Sequence, residues 1–208
     1  MTIQILPLTK DRMPEAFALA TKVFIDASTL HRVLGVDVDI YREYLRAPFQ
    51  QMIEQGLSVA AIDTATDKMV GCLILSDYVC QPSADVARFP TFLPLSALAG
   101  ELDQQYRAKR TLAPGQAALV DMGAVSPDAG GSGIYQMLRS KAHKIAREKG
   151  FRWIIGELSS AATQHVILTR LGHKKMAEVR FDSFQINGRC PFRKITEPPS
   201  IILAEGPL

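Results

Sequence analysis

The sequence predicts an α/β protein with a mixed central sheet of about six to seven strands and helices on both faces, and three segments predict it. The first is a strand, a glycine loop and a helix start in direct succession, Leu119 to Tyr135. The second is a pair of apolar runs, Leu57 to Ile62 and Met69 to Leu75, flanking a polar turn at Asp63 to Lys68, which reads as an antiparallel hairpin. The third is Phe151 to Glu157, a strand that follows the helix opened by the glycine loop and completes a βαβ unit. Such units are right-handed and parallel.

The remaining elements follow in order. Ile3 to Leu6 reads as an opening strand, and Met13, Ala16, Phe17, Ala20, Phe24 and Ala27 recur at helical spacing, with Pro14 suited to the first turn. A second helical stretch starts near Asp39 with Ile40, Tyr44, Leu45, Phe49, Met52 and Ile53. Pro48 should kink it or divide it in two. Gly56 ends it. Cys80 to Gln116 is the longest insertion between strands, with Pro82, Pro90, Pro94 and Pro114 around one helical piece, Leu95 to Lys109.

Ala117 to Val125 is the next strand. Ile134, Leu138, Ala142 and Ile145 then form the apolar face of a helix that Gly150 caps. A helix from Ala161 to Leu171, closed by Gly172, precedes strands at Met176 to Ile186 and Phe192 to Ile195. Asn187-Gly188 joins these two as a hairpin turn, and Ser200 to Leu203 adds a further edge strand.

The 208 residues, 47% of them hydrophobic, suit one domain spanning 1-208 that needs neither disulfide nor metal. Cys72, Cys80 and Cys190 are odd in number and lack metal-ligand spacing, which points to a reducing compartment. Without an apolar leader or a membrane-length run, the expected location is cytoplasmic. A net charge of +3 is too small to suggest nucleic acid. The one basic run, Arg139, Lys141, Lys144, Arg147, Lys149 and Arg152, reads as the solvated face of a helix, with phosphate steering as the second reading.

The glycine loop carries the chemistry. Glycines let loop N–H groups turn inward, and the first turn of a helix leaves its own N–H groups unpaired at a positive dipole end, so the segment makes a phosphate cradle. It is not the dinucleotide pattern, since Gln136 stands where G-x-G-x-x-G needs its last glycine, and no Gly-Lys-Ser/Thr follows as in a P-loop.

Val125-Ser126-Pro127 followed by Gly130-Gly131-Ser132-Gly133-Ile134-Tyr135 resembles the strand end and loop, [Q/R]-x-x-G-x-[G/A], of the GNAT superfamily of acyl-CoA-dependent N-acyltransferases. Gly133 matches that loop, while Gly130 and Tyr135 depart from it. Downstream, Gln164 to His173 with Leu171-Gly172-His173 resembles the family's L-Y-x-K-L-G-F segment, with Leu168 at the position of its acidic tyrosine.

The resemblance implies a GNAT fold with a splay between two central parallel strands. It also implies acetyl-CoA as co-substrate and direct transfer of the acetyl group to a small amine in a ternary complex. The main chain of Met122, Gly123, Ala124 and Val125 would pair with the pantetheine arm, and Gly130, Gly131, Ser132, Gly133, Ile134 and Tyr135 would hold the phosphates or pack beside the cofactor. A homodimer is left open as the assembly. The rival reading is a catalytically inactive GNAT-fold module that binds acyl-CoA or a protein partner.

Acyl transfer to an amine needs a base for the incoming ammonium and a proton for the leaving thiolate. Glu157 ends an apolar strand at the expected splay, where a carboxylate's pKa would rise. Asp26 follows the first helix, where the arylalkylamine branch of the superfamily carries an acidic residue; a turn cap with Ser28 and Thr29 is its other reading. His165 lies one turn before Leu168 and is the candidate acid. Asp121 is a third carboxylate, as base or as partner to a cation. Gly123 marks either a bulge or the close approach of a ligand.

Overall fold

A computed structural model describes residues 2–208. Its seven strands form one sheet. They are β1 (Ile3–Pro7), β2 (Val59–Asp63), β3 (Lys68–Asp77), β4 (Ala117–Val125), β5 (Trp153–Leu158), β6 (Lys174–Arg180) and β7 (Ser200–Pro207), in the order β1-β2-β3-β4-β5-β7-β6. Only β4 and β5 pair in parallel; every other neighbouring pair is antiparallel.

The helices are α1 (Met13–Ala27), α2 (Thr29–Val33), α3 (Val38–Glu54), α4 (Leu93–Arg107), α5 (Ile134–Glu148) and the single turn α6 (Ala161–Gln164). The apolar stripe of α5, Ile134, Leu138, Ala142 and Ala146, packs on one face of the sheet against Leu73, Leu75 and Ala118. The other face is covered by α1 and α3, through Ala16, Ala20 and Phe49 on Ile74 and Met122, and by α4, through Leu98, Leu102 and Tyr106 on Leu119 and Ile155. Each face thus has its own core, as a sheet buried on both sides requires.

Several expectations are corrected. Of the two readings of Pro48, division of the helix is excluded, because α3 runs unbroken through it. The helix expected over Ala161 to Leu171 is one α-turn followed by a π-helical turn, His165–Arg170, closed by bonds from Leu171 N to Val166 O and from His173 N to Ile167 O. β6 stops at Arg180, and Phe192 to Ile195 is no strand. Asn187 and Gly188, at φ 50° and 71°, do form the expected tight turn, yet only Ile186 and Arg189 pair across it. Phe181, Phe184, Phe192 and Ile195 are drawn instead into the core beneath α4. The segment from Ser200 is not an edge strand, because β7 lies between β5 and β6 and bonds to both.

β4 and β5 pair over only four residues each, Ala117↔Trp153 to Val120↔Gly156. Beyond that, β4 stays with β3 and β5 stays with β7, so the two part. At the parting point β4 carries a bulge. Leu75 faces Val120 and Ile74 faces Met122, leaving Asp121 as the extra residue. No helix among the described residues is long and apolar enough to cross a membrane.

Candidate active site

Two cavities meet in the gap between β4 and β5. The larger, about 400 Å³, lies on the α1/α3 face. One part of its wall is aromatic, with Phe24, His31, Tyr41, Tyr44 and Phe92, and Gln81 and Ser159 are among its polar groups. The smaller, about 220 Å³, runs through the gap itself, past Val120, Met122 and Gly123 of β4, Gly156 to Ser160 after the parting, and Tyr135 and Arg139 of α5. Phe24, Ser28, Asp121, Met122, Glu157 and Ser159 line both.

The two carboxyl groups at this junction are perturbed together. Burial pushes Asp121 up to about 7, against the opposing effect of hydrogen bonds such as that from Gln81 Nε2 to Oδ1 at 3.0 Å. Its Oδ2 is buried with no hydrogen-bond partner. Glu157 is also raised to about 7, first by the surrounding protein mass and then by the negative charges of Asp121 and Asp103. Glu157 is exposed, and the surface it exposes lines the cavities. The negative charge of Asp121 thus adds to the cost of ionising Glu157, and both acids change charge near neutral pH.

Ser28 and His31 stand at the same junction, with His31 Nδ1 2.7 Å from Ser28 Oγ. The imidazole is wedged edge-on against Tyr41, ring centroids 4.8 Å apart, and burial lowers its pKa to about 4, so it stays neutral. Behind Glu157, Tyr78 donates to Asp103, which Arg107 also binds. Tyr106 donates to the buried Glu205, and Arg110 grips Glu205 through two bonds of 3.0 and 2.6 Å while lying over Trp153.

At the open end of the gap, Gly131 and Gly133 hold φ of 75° and 76°, and nothing stands within 4 Å of where their side chains would be. They are glycines for their backbone angle. The N–H groups of Gly131, Ser132 and Gly133 form no hydrogen bond among the described residues, and the first turn of α5 adds its own unpaired donors. Together with the β4 edge left free beyond Val120, this cradle fits a pyrophosphate and a pantetheine arm.

The expected cofactor residues divide. Met122, Gly123 and Tyr135 line the gap, Gly130 to Gly133 are exposed in the loop, and Ala124, Val125 and Ile134 pack into the two cores. Gly123 is not the bulge, which falls at Asp121. Its missing side chain makes room for the Tyr135 ring, because a Cβ there would stand 2.8 Å from Cε2. Tyr135 therefore packs first on the strand itself.

Of the expected groups, Glu157 and the third carboxylate, Asp121, reach the junction. Asp26 is exposed on the last turn of α1 and lines neither cavity, while Phe24, Ala27 and Ser28 beside it do. His165 is exposed at the start of the π-turn, which turns Ile167 into the core and packs Leu168 against it. Ser28, His31 and Arg139, none of them expected to be catalytic, line the cavities. No cluster of three or more His, Cys, Asp or Glu among the described residues could hold a metal ion.

No protein-family model matches the sequence, and no curated protein matches it. Solved structures do. The C-terminal condensation domain of Ebony in complex with beta-alanyl-dopamine superposes with a TM-score of 0.85 at 18% identity over 100% of both chains. Mosquito arylalkylamine N-acetyltransferase like 5b gives 0.78 at 19%, and the apo form of a mutant agmatine N-acetyltransferase gives 0.72 at 14%, each over 100% of both chains. At such identities the likeness is one of fold, and it agrees with the seven-stranded sheet, the lone parallel pair and the parting of β4 from β5. The chain has the fold of the GNAT superfamily of N-acetyltransferases.

Proposed function

We propose that the chain is a single-domain, acyl-CoA-dependent N-acyltransferase that uses acetyl-CoA as co-substrate and acylates a small amine with an apolar or aromatic body. The observation that carries this reading is the meeting of two cavities at Asp121 and Glu157 in the gap between β4 and β5. An amine in the larger cavity and a thioester in the smaller one reach each other only there. The solved structures of arylalkylamine and agmatine N-acetyltransferases support an amine acceptor.

When bound, the co-substrate supplies an activated acyl group as a thioester. Glu157, half ionised near pH 7, draws the ammonium end of the amine and takes its proton. Asp121, protonated to a similar degree, holds a proton for the leaving sulfur in place of the hydroxyl that Leu168 lacks. The aromatic wall orients the amine's body and excludes water. The Ser28–His31 pair fixes the hydroxyl that borders both cavities. No covalent nucleophile is needed. We place the protein in the cytoplasm, a reading supported by its three free cysteines.

Release of free CoA thiol, followed across a panel of arylalkylamines and polyamines, tests the reading. Intersecting initial-rate lines agree with a ternary complex, and parallel lines would overturn it. The second reading, a non-catalytic acyl-CoA-binding module, draws on Leu168 and on the Tyr135 ring laid against Gly123. Binding of CoA without turnover of any amine in the panel would favour it.

A further inference from the structure

Arg139 stands apart from the other basic residues of α5. It is 7% exposed, its Nε is buried with no hydrogen-bond partner, and the one bond its guanidinium makes is to a histidine, Nη2 to His143 Nε2 at 3.2 Å. Among the described residues no carboxylate forms an ion pair with it. A buried guanidinium without a counter-charge is costly, and proteins keep such a group where an anion arrives to pair with it.

Its place in the gap identifies the anion. Tyr135 lies over Gly123, and Arg139 is one turn further along α5, about 5.4 Å towards the start of β4. That brings it level with Val120 and Gly156, the last paired residues of β4 and β5, which line the smaller cavity with it. The phosphate cradle at Gly131 to Gly133 is at the opposite, open end. A thioester whose carbonyl lies beside Asp121 and Glu157 therefore directs its acyl tail, not its phosphates, towards Arg139.

The surroundings suit a carboxylate. Asp121 and Glu157 line both cavities at their junction, whereas Arg139 lines only the smaller one, so the positive charge is confined to the donor's side. His143, which accepts one bond from the guanidinium, and His173 are kept neutral by burial and by the charge of Arg139, so neither supplies a counter-charge. A guanidinium offers a carboxylate two parallel bonds, which selects for that group over a neutral methyl and repels an ammonium.

We propose that Arg139 binds a carboxylate at the distal end of the donor's acyl group, making the monothioester of a short dicarboxylic acid the preferred donor. This rests on the acyl-CoA reading above.

The test is the dissociation constants of CoA, acetyl-CoA, succinyl-CoA and β-alanyl-CoA, measured by calorimetry on the wild type, Arg139→Met and Arg139→Lys. Wild type should hold succinyl-CoA at least tenfold more tightly than acetyl-CoA and still more tightly than β-alanyl-CoA. In Arg139→Met the succinyl-to-acetyl ratio should fall to about one. Should that variant not fold, a ratio in Arg139→Lys below that of the wild type supports the proposal and an unchanged ratio overturns it. Binding of CoA together with equal affinity for all three thioesters overturns this proposal alone. Failure to bind CoA at all removes the acyl-CoA reading and this one with it.

Discussion

The Tyr135 ring lies on the bare backbone of Gly123, with its Cε2 2.8 Å from the point a Cβ would occupy. A methyl at Gly123 must displace the ring, and the ring also lines the gap. Gly123→Ala should cost about 1–3 kcal/mol through overpacking and lower Tm by several degrees. Combining it with Tyr135→Ala should restore most of the loss, and a thermal double-mutant cycle showing simple additivity would count against the contact.

Glu157→Gln should lower kcat for amine acylation by about 10²-fold or more, the usual share of a general base, with little change in CoA affinity. Wild-type kcat/KM should fall at high pH as Asp121 loses the proton it supplies, and should rise with pH through a limb near 7 as Glu157 ionises. In the variant that limb should weaken or move. A profile identical to the wild type's would remove Glu157 from the reaction.

The same pair makes stability pH-dependent. Both carboxyls are raised above their unfolded values, so the folded state binds more protons than the unfolded chain between about pH 4 and 7. Their contribution is fully present below that window and lost as pH rises through it. The Tm of Asp121→Asn/Glu157→Gln should therefore gain on that of the wild type from pH 4.5 to 7 and hold a constant lead above about 7.5. A lead that shrinks as pH rises would contradict the shifts.

Glu205 is buried on β7 and takes three hydrogen bonds, two from Arg110 and one from Tyr106. Glu205→Gln should cost about 2 kcal/mol, at the low end for a buried pair because Arg110 is partly open to water, or roughly 4–8 °C in Tm for a chain of this size. Since α4 and β7 meet here behind the site, CoA affinity should change little. A melting curve unchanged from the wild type would show that the network contributes nothing.

Gly206 lies under the ring of His173, whose atoms would stand 2.5 Å from an added Cβ. Gly206→Ala should destabilise the fold while leaving the succinyl-to-acetyl donor ratio in place, because His173 is a neighbour of Arg139 and not a ligand of the donor. Loss of that ratio with Tm unchanged would assign His173 a more direct part.

Most of the fold was readable because its signals are local: apolar periodicity in α1 and α5, continuous apolar runs in β2 and β3, and the glycines that close elements. What escaped depends on distant partners. Phe192 to Ile195 follows a hairpin-turn signal, yet its apolar residues serve the core under α4, and nothing local marks β7 as internal. Glu157 was readable because it ends an apolar strand at the gap. Arg139 was hidden in a run of six basic residues, four of them on α5, and only tertiary packing separates the buried one from the solvated ones. Ser28 and His31 carried no sign beyond capping chemistry, and Asp26 was two positions from the residue whose side chain reaches the site.

The extra residue at Asp121 reverses the phase of β4. Before it, Ala118 packs on the α5 side and Leu119 on the opposite side; after it, even-numbered Met122 and Ala124 pack away from α5, and odd-numbered Gly123 and Val125 pack towards it. The strand is thus two short rulers offset by one mark, each correct only for its own half. Deleting that residue would join Val120 to Met122 in ordinary alternation and leave every later side chain on its present face, so the extra residue sets an acid in the gap without turning the strand that follows it.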